Sequence, residues 1–292
     1  MTALLAVARA VHFASLMAIF GGSTYSVLLQ RSKLAAPPTK ATRILFAGAA
    51  TLALLAAIAW FCLIAGQMSG SWKGSIDPSI LELAASETRF GQIFLARLVG
   101  LAVLWFLCTF AMNPNGIALS ILAGLLLALL GPVSHAAATG GDIALLGAAN
   151  DAAHLLTGGF WLGGLMVLAL LVHRHWEEPA KLLEPLALFS MWGSFAVALL
   201  VATGLTNAVS ILPASAWSLN NDYFRLLGLK VGCALAMIGL AALNRWRFAP
   251  TLRTEGQRAY RRLAASIGVE IALGLTVVAI AGYLGLMAPR MA

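Results

Sequence analysis

The sequence predicts an all-α, polytopic membrane protein in which residues 1–292 form a single transmembrane domain, and three observations carry that prediction. Of the 292 residues, 61% are hydrophobic and 10% are charged, whereas soluble domains carry roughly 25% charged residues. Mean hydropathy is +0.89. The apolar residues fall into long runs, and about 20 such residues are needed to cross the hydrocarbon core as a helix. A formal net charge of +8 does not indicate a nucleic-acid partner, because the basic residues sit in short connectors and not on one aromatic-studded face. The partner the composition implies is the lipid bilayer.

Eight runs qualify as spans, roughly 3–29, 44–67, 90–111, 117–138, 148–172, 186–212, 223–244 and 263–288. The first is longer than the apolar core of a secretory signal, about 7 to 15 residues, and is read as a retained helix. Arg31, Lys33, Lys40 and Arg43 follow the first run, Arg174 and Lys181 the fifth, and Arg245, Arg247, Arg253, Arg258, Arg261 and Arg262 the seventh. The connectors after the second, fourth and sixth runs hold only Lys73 and Arg89. Cytoplasmic loops collect Lys and Arg, so both termini are expected on the opposite face. The connector 68–89, with Trp72, Asp77, Pro78 and Glu82, is long enough for an interfacial cap and too short for a domain. Cys62, Cys108 and Cys233 are scattered through apolar runs without a CxxC pair, which makes them small buried residues and not a disulfide framework.

Short motifs recur between halves 1–138 and 148–288. The first run reads Arg9-Ala-Val-His12-Phe13 and reaches Gly21-Gly22; the fifth reads Asp151-Ala-Ala-His154-Leu155 and reaches Gly163-Gly164, the glycine pair beginning nine residues after the histidine in each. Arg97 follows Phe90 by seven residues in the third run, as Lys230 follows Tyr223 in the seventh. The two halves are expected to be parallel repeats with a site between them, the glycines marking close helix packing.

Ionisable residues inside a span are costly, about 2.5 to 3.5 kcal/mol at its centre, and are functional candidates. With the orientation above, His12, His135 and His154 come from three spans to one depth in the outer leaflet. Asn207, Arg97 and Lys230 share that half, with Asp142 and Asp151 near the connector above it, while Glu270 and Asn244 lie nearer the cytoplasmic side. Imidazole is the commonest side-chain metal ligand and suits copper, zinc, iron and nickel; three imidazoles with one open position form a site that loads and releases. Arg97 and Lys230 are expected to pair with carboxylates such as Asp151 or Glu270. His173 and His175 fit a solvated connector, the methionines form no MxxM cluster, and no GxSxG, P-loop or HExxH signature points to an enzyme.

At these residues the chain resembles the CopD (PcoD) copper resistance membrane proteins. The resemblance runs through Gly131-Pro-Val-Ser134-His135-Ala-Ala-Ala-Thr-Gly140-Gly141, Asp151-Ala-Ala-His154, Phe160-Trp161-Leu-Gly163-Gly164, Arg9-Ala-Val-His12-Phe13, Thr203-Gly204-Leu-Thr-Asn207, Leu226-Leu-Gly-Leu-Lys230 and Leu243-Asn244-Arg245. It implies an eight-helix protein of the bacterial inner membrane that handles copper ion, takes it from a periplasmic copper-binding protein of the CopC type and moves it toward the cytoplasm. The family's histidines map onto His12, His135 and His154. The resulting expectation is a permease in which those three residues bind copper, Asn207 and Asp151 orient them, and the ion passes between the halves past Glu270. Two other readings stay open: a b-type cytochrome exchanging electrons with quinone, and a metal-binding scaffold or sensor without transport.

Overall fold

The computed structural model describes residues 1–34, 39–111, 115–130, 141–211, 218 and 220–287. The helices are α1 (Thr2–Arg31), α2 (Thr39–Met68), α3 (Pro78–Ser86), α4 (Arg89–Phe110), α5 (Gly116–Ala128), α6 (Gly141–Arg174), α7 (Leu183–Ile211), α8 (Asp222–Leu243), the single turn α9 (Ala249–Thr251) and α10 (Gln257–Leu284), with a π-helical stretch over Asn244–Phe248 joining α8 to α9. The chain is an all-α multi-pass membrane protein. Among the described residues seven helices are long and apolar enough to cross a membrane: α1, α2, α4, α6, α7, α8 with its continuation, and α10. Of the expected fourth span, 117–138, residues 131–138 lie outside the described residues; its described helix, α5, is 13 residues long, or about 20 Å at 1.5 Å per residue, against a hydrocarbon core of about 30 Å.

The connector over 68–89 folds into a short helix, α3, in place of a domain. Asp77 caps α3, its carboxylate accepting from Ser79 N at 2.9 Å, with Pro78 at the first helical position where a missing N–H costs nothing. That turn lies on α2 and α4.

Helix α1 is the hub, packing on α2, α5, α6 and α10. From Leu16 to Tyr25 α1 is enclosed almost throughout, while Leu4 and Val7 near its start are exposed; a stretch enclosed on most sides must be mainly apolar, which explains why that part of its sequence shows no broad polar face. Its tightest crossing is with α6. A Cβ on Gly21 would lie 2.1 Å from the Gly159 carbonyl oxygen, and a Cβ on Gly163 would lie 2.1 Å from the Met17 carbonyl oxygen. The two recurring glycine pairs therefore meet each other, and the seam between the halves is closed by backbone against backbone. Any side chain there must push two helices apart, so Gly163→Ala is expected to lower stability by about 1 to 3 kcal/mol or more. Gly164→Ala meets the edge of the Phe189 ring instead, which can rotate. Thermal unfolding of the two purified variants in detergent checks that order.

The contacts around this seam repeat. Gly22 faces Phe46 of α2 as Gly164 faces Phe189 of α7. The repetition then breaks: α4 packs against α2, whereas α8 packs against α10 and, among the described residues, scarcely touches α7. The second half thus keeps a slot between α7 and α8, floored by α6 and α10, where the first half is closed.

Candidate functional site

The two recurring histidines sit in unlike surroundings. His12 is fully buried, with Nδ1 2.9 Å from the Ala53 carbonyl oxygen of α2 and Nε2 2.8 Å from Arg97 Nη2 of α4. A carbonyl can only accept and a guanidinium can only donate, so Nδ1–H donates to Ala53 and Nε2 accepts from Arg97; the ring is neutral and both nitrogens are engaged. Arg97 Nη1 also donates to the Leu126 carbonyl. Leu126 lies in the last turn of α5, where carbonyls lack helical partners and carry the negative end of the helix dipole. The early end of α5 therefore has a physical role: it presents an orphan carbonyl to a buried cation. Trp60 seals this group, its ring edge-on to His12 at 5.8 Å, with Arg9 Cζ 5.0 Å over its face and Phe94 behind it. Ala53, Trp60 and Leu126 contribute a backbone carbonyl, an aromatic lid and a helix end that sequence reasoning passed over.

His154, on α6, is half-buried and faces the slot. Its Nδ1 is 3.0 Å from Thr203 Oγ1 of α7, and that hydroxyl donates to the Leu199 carbonyl at 2.7 Å. The hydroxyl hydrogen being committed, Thr203 accepts from His154 Nδ1–H, which leaves the lone pair on Nε2; the Leu200 carbonyl of α7 is a further hydrogen-bond partner of the ring. Gly204 lies under the ring, where a Cβ would come 3.3 Å from His154 Cε1. One turn earlier, Asn150 Nδ2 donates to Asn207 Oδ1 at 2.7 Å and to the Thr203 carbonyl at 3.0 Å, tying α6 to α7. Asp151 lies within electrostatic reach of Lys230 and of the Tyr223 hydroxyl, and Lys230 within reach of His154. Thr203 enters the sequence reading only within the motif Thr203-Gly204-Leu-Thr-Asn207 and Asn150 not at all, although each is a polar residue in an apolar span.

The structure thus gathers His154, Asp151, Asn207 and Lys230 into one cluster. It does not bring Arg97 to a carboxylate, as the sequence suggested, but to His12 and a helix end. Lys230 and Asp151 are neighbours as expected. Glu270 is paired with neither cation: it accepts from Asn244 Nδ2 deep in the other end of the slot. His135 lies outside the described residues, as does Ser134. His12 and His154 are hydrogen-bonded to different helices, and among the described residues no three His, Cys, Asp or Glu side chains converge on a metal position.

Residues 1–145 match the family described as Copper resistance protein D-like, N-terminal domain, and residues 183–284 match the one described as Copper resistance protein D. The chain is 29% identical over 286 residues to Inner membrane protein YebZ of Escherichia coli (strain K12), covering 96% of this chain and 97% of that protein. It is 28% identical to Copper resistance protein D of Pseudomonas syringae pv. tomato, covering 97% and 96%. With Copper transport protein CutJ of Bacillus subtilis (strain 168) the identity is 25%, over 92% of this chain and 50% of that longer protein. No solved structure gives a significant match.

Proposed function

Because the chain belongs to the copper resistance protein D family, we propose that it is an inner-membrane permease that receives copper on the periplasmic side and moves it toward the cytoplasm. The relatives named for copper resistance, copper transport and the inner membrane support that reading. The orientation, with both termini periplasmic, rests on the basic residues of the connectors after α1, α6 and α8. The last two of these connectors share one end of the molecule, since Gln257 donates to the Trp176 carbonyl.

The observation that carries the proposal is the state of His154. A ring whose Nδ1–H is fixed by an oxygen acceptor presents Nε2 as a ligand of set tautomer and direction, the arrangement that metal-binding imidazoles use. Copper is the substrate here, and His154 Nε2 is its first protein ligand. Lys230 by itself would repel a cation; Asp151 beside it offsets that charge, and Asn207 holds Asn150 and so the α6–α7 edge of the site. His135, the second imidazole the sequence offers at this end, is assigned as a further ligand. His12, with both nitrogens engaged, is assigned to the frame, because a metal at Nε2 would have to displace the Arg97 guanidinium. The route of the ion is placed in the second half and not between the halves, where the α1–α6 backbones are in contact. A soluble periplasmic copper protein of the CopC type is the donor in this scheme.

Reconstitution tests it. Proteoliposomes loaded with a copper-sensitive dye are expected to show copper entry with the unaltered protein and loss of entry with His154→Ala. Binding without entry in the unaltered protein would make the chain a sensor or scaffold. Thr203→Val keeps the shape but removes the acceptor for Nδ1–H, and is expected to weaken copper binding about 10- to 100-fold, the usual cost of losing an orienting partner.

A further inference from the structure

The inner end of the α7–α8 slot opens into a cavity of about 560 Å³, within the range of about 300 to 1,000 Å³ typical of small-molecule sites. Its walls are apolar, with Leu165, Leu168, Val197 and Ile238 beside the rings of Trp161 and Phe189. Its polar groups are few and placed together. Glu270, 1% exposed, accepts from Asn244 Nδ2, and Asn244, 8% exposed, has an Oδ1 with no hydrogen-bond partner. The π-helical stretch that begins at Asn244 adds a residue to the turn, which points Asn244 inward while Arg245 and Trp246 point out at the mouth, Arg245 donating to Ser194 of α7 at 3.0 Å. Such stretches occur mostly where function requires a local change of helix phase.

A carboxyl and a carboxamide on the floor of a slot that is open toward lipid are poorly matched to acyl chains, because an unsatisfied polar group in hydrocarbon costs several kcal/mol. The missing partner must be a hydrogen-bond donor, since Asn244 Oδ1 can only accept. It must also be mostly apolar, since the walls are. The aromatic rings favour a flat head, and the gap between α7 and α8 gives an apolar tail a way out to the bilayer. We infer that this cavity binds a membrane-soluble hydroxyaromatic amphiphile of the hydroquinone class, a ring hydroxyl donating to Asn244 Oδ1. This site is separate from the copper cluster around His154 and does not rest on copper transport. An occupant here would also close the slot against lipid beside Glu270.

The test uses the full-length protein in nanodiscs of phosphatidylcholine, kept anaerobic, with decylhydroquinone as the probe and its dimethyl ether as the matched compound that cannot donate. Bound probe is quantified after rapid gel filtration. The expected result is saturable binding at one probe per chain, with the ether about tenfold weaker, as one lost hydrogen bond of about 1.4 kcal/mol would give. Asn244→Leu is expected to reduce hydroquinone binding to the level of the ether and to leave ether binding unchanged. Equal binding of hydroquinone and ether to the unaltered protein, or uptake that never saturates, would overturn the inference and leave lipid chains or water as the contents of the cavity. The comparison of the two compounds needs no variant, so it decides the matter even if Asn244→Leu fails to fold.

Discussion

His154→Ala is expected to weaken copper binding by the purified protein by about 100-fold or more, while its thermal unfolding midpoint moves little. The reasoning is local. A directing partner such as Thr203 is worth about 10- to 100-fold in metal affinity, and the ligand it directs should be worth at least as much. The structural cost is small because His154 is half-buried at the edge of the slot and its hydrogen bonds, to Thr203 and the Leu200 carbonyl, all go to one neighbouring helix, α7. Copper titration and differential scanning of the same preparation separate the two effects. Gly204→Ala, which places a methyl 3.3 Å from His154 Cε1, should give a milder loss in the same direction.

Arg97→Ala should do the reverse. The guanidinium is fully buried, bridges α4 to His12 on α1 and caps the Leu126 carbonyl of α5. Removing it leaves a helix end and an imidazole nitrogen without donors inside an apolar bundle, together with a void. Deleting one member of a buried charged hydrogen-bonded set costs about 3 to 5 kcal/mol, enough to lower the yield of folded protein sharply. Arg97→Lys should recover only part of it, because an ammonium cannot span two acceptors in the planar fork that the guanidinium provides. The folded fraction of either variant should bind copper as the unaltered protein does, since His154 and its partners are on other helices.

These two expectations differ although His12 and His154 occupy equivalent positions in the sequence, and the reason shows what the sequence could and could not reveal. The spans were legible because apolar length is a one-dimensional property. The glycine pairs were legible as close-packing positions, and their meeting at the α1–α6 crossing follows that reading. What was not legible is the direction of each side chain. In a helix such as α1, where apolar residues stand on every face beside scattered polar ones, the pattern does not say whether His12 turns toward α6 or toward α2. Its partners compounded this: the Ala53 and Leu126 carbonyls are backbone groups, present at every position and distinguished only by where a helix passes or ends. The stop of α5 at Ala128 was hidden in an apolar run that continues past it. The divergence of α8 from α7 has no signature in either helix, since both are predominantly apolar with only scattered polar residues, and that divergence is what leaves the second-half cluster open while the first is sealed. For the same reason Glu270 could be recognised as costly but not placed beside the unpartnered Asn244 carbonyl.

The most direct measurement is copper titration onto purified His12→Gln and His154→Gln proteins, prepared side by side with the thermal midpoint of each recorded. The expected result is loss of high-affinity copper binding in His154→Gln at a near-normal midpoint, and retained binding in His12→Gln at a lowered one. Loss of copper from His12→Gln at an unchanged midpoint, with His154→Gln still binding, would contradict the division of the two histidines into frame and ligand.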